Sequence, residues 1–361
     1  MKTELLGKSR EELREFCAAL GEPAYRGAQI YHALYAERKF VFGEMSNLPA
    51  ALRARLEETA SVTLPAVARR YPSQDGSVRY LFALRSENGR PASVEAVFMP
   101  SEGRQTICIS TQAGCAVDCH FCLTAQLGLI RNLTAGEIVA QALVPLEEQK
   151  AALAPRTNVV LMGQGEPLLN FEAVMAAVRI LLDEEGVGLS PKHVTLSTSG
   201  IVPGIERLAK EKVRPKLAIS LNASNDEQRD ALMPINRKYP LAALLEACGK
   251  YPLRPWERLT FEYVLLGGVN DSAEDARRTA RLLAPLKCKV NLIPWNPGEL
   301  PYREPEEKNV GEFQRILHEK GVPVFVRYSR GRDVMAACGQ LALVEIGSGP
   351  AAAGNAQPEA R

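Results

Sequence analysis

The chain has 361 residues, 46% of them hydrophobic and 24% charged, with a formal net charge of +2. This composition excludes a disordered or fibrous chain, no apolar run is long enough for a membrane span, and the near-balance of charge means that any RNA surface has to be local. Eight cysteines behind a start, Met1-Lys-Thr-Glu-Leu, that lacks the apolar core of a secretory signal predict a cytoplasmic protein without a disulfide framework, whose clustered thiols bind metal or react.

Residues 1–65 read as a helical accessory domain. Ser9-Arg-Glu-Glu12 has the form of a capping box, Leu13, Phe16, Cys17 and Leu20 follow at helical spacing, and further helical stretches are expected over 27–36 and 49–58. From residue 66 to 100 the period changes to two: 77–84 and 93–99 flank Asn88-Gly89, a strong turn signal, and predict a β-hairpin linker. On that hairpin Glu95 reads, from the residues alone, as a solvent-facing glutamate. Residues 101–346 then alternate short β-branched runs, at 106–111, 158–162, 193–197, 216–221, 258–265 and 289–293, with helical patterns, which predicts six βα units around a parallel sheet. Capping boxes at Thr134-Ala-Gly-Glu137 and Ser272-Ala-Glu-Asp275 open helices over 134–148 and 272–286, and 324–328 offers a seventh strand. The last stretch, 347–361, is rich in Gly, Pro and Ala and is expected to be a disordered tail.

In such folds ligands gather at the C-terminal ends of the strands. Just past the first of them stand Cys115, Cys119 and Cys122 in a C-x3-C-x2-C spacing. Three thiolates on one centre leave a fourth position without a local ligand, and soft sulfur selects an iron–sulfur cluster or zinc, the latter closed by Cys108. After the second strand, Gly163-Gln-Gly165-Glu166-Pro167 combines glycines that let a ligand approach the backbone with a carboxylate for an ammonium group; an ordinary Gly-Pro turn is the plain alternative. Ser197-Thr-Ser199, Ser220-Leu221-Asn222 and Trp295-Asn296 place small polar groups at later strand ends. Cys338, before Gly339 and behind the charged turn from Arg327 to Asp333, sits in an accessible setting, although most free cysteines are small buried hydrophobes. Cys108 poses the same choice, whereas Cys17, Cys248 and Cys288 have no comparable setting. Arg69, Arg70, Arg237, Lys238, Arg327, Arg330 and Arg332 are candidates for phosphate contacts.

The cysteine spacing, with Phe121 before its last member, resembles the signature of the radical S-adenosylmethionine (SAM) superfamily, and six βα units resemble its partial (β/α)6 barrel. Together with Cys108-Ile-Ser-Thr-Gln-Ala-Gly-Cys115, Arg131-Asn-Leu-Thr-Ala-Gly-Glu137, Gly163–Asn170, Met233–Pro240 and Ala336–Leu341, nearly the whole chain resembles the RlmN family of RNA methyltransferases. The resemblance implies a [4Fe–4S] cluster on Cys115, Cys119 and Cys122, and two SAM molecules per turnover, bound through Gly165, Glu166, Ser197, Ser220, Leu221, Asn222 and Asn296. It implies that Cys338 takes a methyl group from the first SAM. A 5′-deoxyadenosyl radical from the second then removes hydrogen from that S-methyl group, the carbon adds to C2 of adenine, Glu95 accepts the C2 proton, and Cys108 resolves the adduct as a disulfide with Cys338. The implied targets are adenine 2503 of 23S ribosomal RNA and adenine 37 of some tRNAs; an electron donor such as flavodoxin is implied too, and nothing demands more than a monomer. Two positions depart from the family pattern: Asn222 replaces a histidine, and Gln164 a methionine. Three readings compete with this one: a Cfr-type C8 methyltransferase, a radical SAM enzyme acting on a protein or metabolite, and a zinc-stabilised RNA-binding protein.

Overall fold

The computed structural model describes residues 2–87 and 90–341. Asn88-Gly89 and the 347–361 tail lie outside them. Ten strands form one sheet: β1 (Ala66–Pro72), β2 (Val78–Glu87), β3 (Arg90–Ser101), β4 (Arg104–Cys108), β5 (Arg156–Leu161), β6 (Val194–Thr198), β7 (Lys216–Ser220), β8 (Leu259–Leu265), β9 (Cys288–Pro294) and β10 (Val324–Val326). Their spatial order is the sequence order, from β10 at one edge to β1 at the other. β4 to β10 are parallel and joined by helices, which gives the expected α/β architecture around a parallel sheet, with the expected seventh strand present as β10.

The hairpin continues this sheet. β3 pairs antiparallel with β4, Val97 opposite Cys108, and β2 and β1 extend the sheet beyond it. β1 is absent from the sequence reading because a register shift between Val67 and Arg69 breaks its period-two pattern. That placement also overturns the solvent-facing reading of Glu95, which is fully buried and ion-paired with the equally buried Arg79. Arg79 in turn lies 4.0 Å over the ring of Tyr71. Strand alternation suggested a wet outer face; the sheet is covered on both sides at this point.

All three capping boxes form, with Ser9 and Glu12, Thr134 and Glu137, and Ser272 and Asp275 bonding reciprocally. The N-terminal helices, Arg10–Ala19, Tyr25–Tyr35 and Ala50–Thr59, are closed by a short parallel pairing of Thr3–Glu4 with Ala60–Ser61. They dock on the helix Ala135–Glu148 through a backbone contact that only glycine permits: a Cβ on Gly136 would stand 2.6 Å from the Leu6 carbonyl oxygen. The Tyr35 hydroxyl accepts from the Gly7 N–H at 2.8 Å and Arg38 bridges to Glu147 at 3.0 Å. Leu13, Ile30 and Leu34 consequently share one apolar core with Ile138, Leu143 and Val159 of the barrel. Cys17, Cys248 and Cys288 are buried. Among the described residues, no helix is long and apolar enough to cross a membrane.

Candidate active site

The C-terminal ends of the parallel strands surround a cavity of about 670 Å³. Most of the residues expected at the site line it: Cys108, Cys115, Cys119, Cys122, Gly165, Glu166, Ser197, Ser220, Asn222, Asn296 and Cys338. Two do not. Leu221 is fully buried, and its N–H and carbonyl are spent on Glu262 and Arg229. Glu95 stands behind the wall with Arg79, although its own carbonyl accepts from Ser110 Oγ at 2.6 Å.

The three-cysteine loop leaves the sheet after β4 and turns into the short helix Leu123–Gln126. Burial pushes all three thiols up, and at Cys119 the neighbouring Cys122 and Cys115 add to it, so the sulfurs lie within electrostatic reach of one another. Three thiols repelling each other as anions on one cavity wall are a donor set that a cationic centre would relieve. A single tetrahedral zinc would hold its thiolates within about 4 Å of one another. Among the described residues no His, Cys, Asp or Glu side chains form such a group. Soft thiolate donors on one cavity wall fit a cluster whose irons each take a separate thiolate.

Glu166 is held rather than free. One carboxylate oxygen accepts from the Ser199 N–H at 2.7 Å and Ser199 Oγ at 2.8 Å, and the other from the Leu168 N–H at 3.1 Å. Burial raises its pKa, opposed by these donors. Its neighbour Gly165 has φ +95°, and a Cβ there would fall 2.6 Å from that of Gln112, so no other residue fits. Asn222 also has a positive φ, 55°, which asparagine tolerates better than most side chains. Its Oδ1 accepts from the Val264 N–H at 2.9 Å and its Nδ2 points at Met233 Sδ at 3.3 Å. The departure from histidine thus leaves a residue that ties β7 to β8 at the cavity wall.

Sequence reasoning missed the support beneath these strand ends. Arg229 is fully buried and donates to the carbonyls of Ser199 at 2.6 Å, Ser220 at 3.1 Å and Leu221 at 3.1 Å, and to Asn236 Oδ1 at 3.0 Å. Burial lowers its pKa to about 10. The only signal was its nearness to Met233-Pro-Ile-Asn236; an arginine on a helix otherwise reads as surface. Glu262 is the second residue missed. It lines the cavity from mid-β8, with Asn291 donating to it at 2.8 Å, and burial raises its pKa.

The Cys338 segment is strapped across the cavity from two sides. Asp333 accepts from Ser73 Oγ at 2.6 Å and the Gln74 N–H at 3.0 Å, and Asp75 accepts from the Gly331 N–H at 2.9 Å, so the loop is fastened to the turn between β1 and β2. On the other side the Leu123 N–H donates to Gly339 at 2.9 Å, Thr124 Oγ1 to Leu341 at 2.5 Å, and Asn296 Nδ2 to the Cys338 carbonyl at 3.2 Å. Cys338 is accessible, as its setting suggested, but only toward an enclosed space. Burial, then Cys108 and Cys122, push its thiol up to about 12, and burial pushes Cys108 up to about 12; Arg327 pulls on both in the opposite direction. Of the other candidate phosphate ligands, Arg70 is paired with Glu148 and Arg332 with Glu304, while Arg330 reaches the Pro100 carbonyl.

Residues 109–283 match the Radical SAM superfamily, and residues 3–62 match the ribosomal RNA large subunit methyltransferase N-terminal domain. A dual-specificity RNA methyltransferase RlmN from Anaeromyxobacter sp. Fw109-5 is 49% identical over 340 residues, spanning 92% of this chain and 88% of the relative. The protein of the same name from Geobacter sulfurreducens is 45% identical over 339 residues, spanning 94% and 91%. The crystal structure of a radical SAM methyltransferase from Sphaerobacter thermophilus superposes with a TM-score of 0.87 at 44% identity, covering 94% of this chain and 99% of that one. With both matched segments in place on one fold and relatives aligned almost end to end, the chain belongs to the RlmN family of radical SAM RNA methyltransferases.

Proposed function

We propose that this enzyme methylates C2 of adenine 2503 in 23S ribosomal RNA, and C2 of adenine 37 in some tRNAs, through a methyl group carried on Cys338. One observation carries the reading: Cys338 and Cys108 open into the same cavity as Cys115, Cys119 and Cys122. A cysteine needed only for packing would have no reason to be strapped over a metal-binding loop. The C2 carbon of adenine is electrophilic and cannot take a methyl cation as an amine does, so the methyl group has to be held and activated first.

Cys115, Cys119 and Cys122 would hold the cluster. When bound, it supplies the electron that splits SAM into methionine and a 5′-deoxyadenosyl radical. Glu166, pinned by Ser199 and Leu168, presents a fixed carboxylate to the amino group of SAM, while Gly165 lets it lie against the backbone. Cys338, as thiolate, displaces the methyl group of a first SAM and leaves S-adenosylhomocysteine. Its thiol is pushed up by burial, so the reaction depends on positive charge nearby, from Arg327 and from the sulfonium of SAM itself. The S-methyl carbon of Cys338, having lost one hydrogen atom, bonds to C2 of an adenine that has been drawn out of its stack.

The adduct then yields the C2 proton to Glu95 and one electron, which the cluster would accept when bound, leaving a thioether between Cys338 and the base. For Glu95 to reach that proton, its pair with Arg79 opens toward the cavity. Cys108 attacks the sulfur of Cys338; the carbon–sulfur bond breaks, the carbon takes up a proton and becomes the methyl group, and a Cys108–Cys338 disulfide remains to be reduced. Ribosomal RNA incubated anaerobically with the reconstituted enzyme, SAM and a reductant should yield 2-methyladenosine by nucleoside mass spectrometry. Finding 8-methyladenosine alone would move the enzyme to the Cfr-type reaction.

A further inference from the structure

The opposite end of the barrel has a pattern that the reaction does not use. Each of the five strands β5 to β9 begins at, or within five residues after, a cation: Arg156, Lys192, Arg214, Arg254 and Lys287. Parallel strands bring all five to one face, whereas Arg104, the register partner of Arg156 on β4, lines the cavity. In a chain of net charge +2 this is a strong local concentration.

Helix dipoles do not account for it. Favourable charge at a helix C-terminus acts within the last turn, whereas these cations lie past the helix ends at Glu148, Leu182, Leu208, Lys250 and Leu283. Nor do ion pairs. Among the described residues only Arg254 of the five has a carboxylate within 4.0 Å, the buried Glu257 at 3.2 Å. The uncompensated field is felt nearby: burial and then the charges of Lys216, Arg156 and Lys192 lower the pKa of His193.

An aromatic ring stands in the middle of this face. Trp256 is 43% exposed, with Lys192 Nζ 5.5 Å and Arg254 Cζ 5.4 Å from its ring centroid. A part-exposed indole flanked by two cations matches the way proteins hold single-stranded nucleic acid, by tracking phosphates with positive charge and stacking bases on aromatic side chains.

We propose that the N-terminal end of the barrel is a second RNA-binding surface, which takes the phosphate backbone and an unstacked base of a substrate segment remote from the target adenine. An acidic electron-carrier protein would also be drawn to this charge. It would dock a strand length from the cysteine loop, about 17 Å for five residues of β7, which is a poor place from which to reduce the site. RNA that wraps the barrel has no such constraint.

The test combines Arg156→Glu, Lys192→Glu and Lys287→Glu, none of which lines the cavity, with Trp256→Ala as a separate variant. Binding is titrated against salt for two probes, a 23S ribosomal RNA domain fragment carrying the target and the excised target hairpin. The triple variant should bind the fragment about 10-fold more weakly or worse, with a salt slope shallower by roughly 2 to 3. Trp256→Ala should weaken it about 5-fold or more without changing the slope. Binding and methylation of the hairpin should not change in either variant, and a loss there would count against the catalytic reading instead. Unchanged fragment affinity and slope would overturn the proposal. So would normal RNA binding with slower reduction by a flavodoxin, which would assign this face to the electron donor.

Discussion

At one end of the barrel the strands finish in thiols, glycines, small polar groups and a carboxylate held by three hydrogen bonds; at the other they start behind cations of which, among the described residues, only Arg254 is paired with a carboxylate. The first end is over-determined. Arg229 satisfies three carbonyls at once, Asn222 ties two strands together, and Asp75, Asp333, Leu123, Thr124 and Asn296 hold the Cys338 strap in place. The second end is held less completely: Arg214, Arg254 and Lys287 donate to backbone carbonyls, but of its cations only Arg254 has a carboxylate partner among the described residues. Chemistry on a radical needs reactants held in place with water kept out, whereas sequence-tolerant binding of a phosphate chain needs charge that can adjust.

Variants at the mouth should therefore change chemistry or folding while leaving long-range RNA affinity intact. The largest effect belongs to Cys338→Ala, which should lower RNA methylation by roughly 10^4-fold or more with no change in binding to the 23S fragment. Next, Arg229→Met leaves buried carbonyls without donors and should cost on the order of 3 kcal/mol of stability, seen as a lower urea midpoint with an unchanged slope. Glu166→Gln removes one charge from a site that stays hydrogen-bonded, and SAM should bind about 10- to 100-fold more weakly by calorimetry. The smallest effect concerns the strap. Burial tends to raise the Asp75 carboxyl, but bonds from Ser77 and the Gly331 N–H outweigh it and hold it at about 2, below the usual 3.8. A depressed pKa gives stability that is complete above pH 4 and disappears as pH falls through 2. The urea midpoints of wild type and Asp75→Asn should therefore differ at pH 5 and converge near pH 2.

The legible part of the molecule was whatever depends on local spacing. Three capping boxes, the parallel strands and the cysteine loop each follow from residues close in sequence, and each is present in the fold. What was not legible depends on contacts between distant segments. Glu95 and Arg79 lie on separate strands, and each reads alone as a surface charge; only pairing buries them together. Arg229 reads as an exposed helical arginine until three strand ends converge on it. The basal cations were invisible for another reason: they are spread from Arg156 to Lys287, and only the parallel topology gathers them on one face. Leu221 shows a further limit: the motif Ser220-Leu221-Asn222 does not say which of its residues face the cavity, and Leu221 is packed in the core.

The central claim is that Cys338 carries the methyl group in transit. Enzyme reconstituted anaerobically should be incubated with SAM bearing a labelled methyl group, without RNA, then digested and analysed by peptide mass spectrometry. The account predicts one labelled methyl group on the peptide containing Cys338, absent from Cys338→Ala and lost to RNA when RNA is added. Transfer of label to RNA with Cys338 never methylated would contradict it.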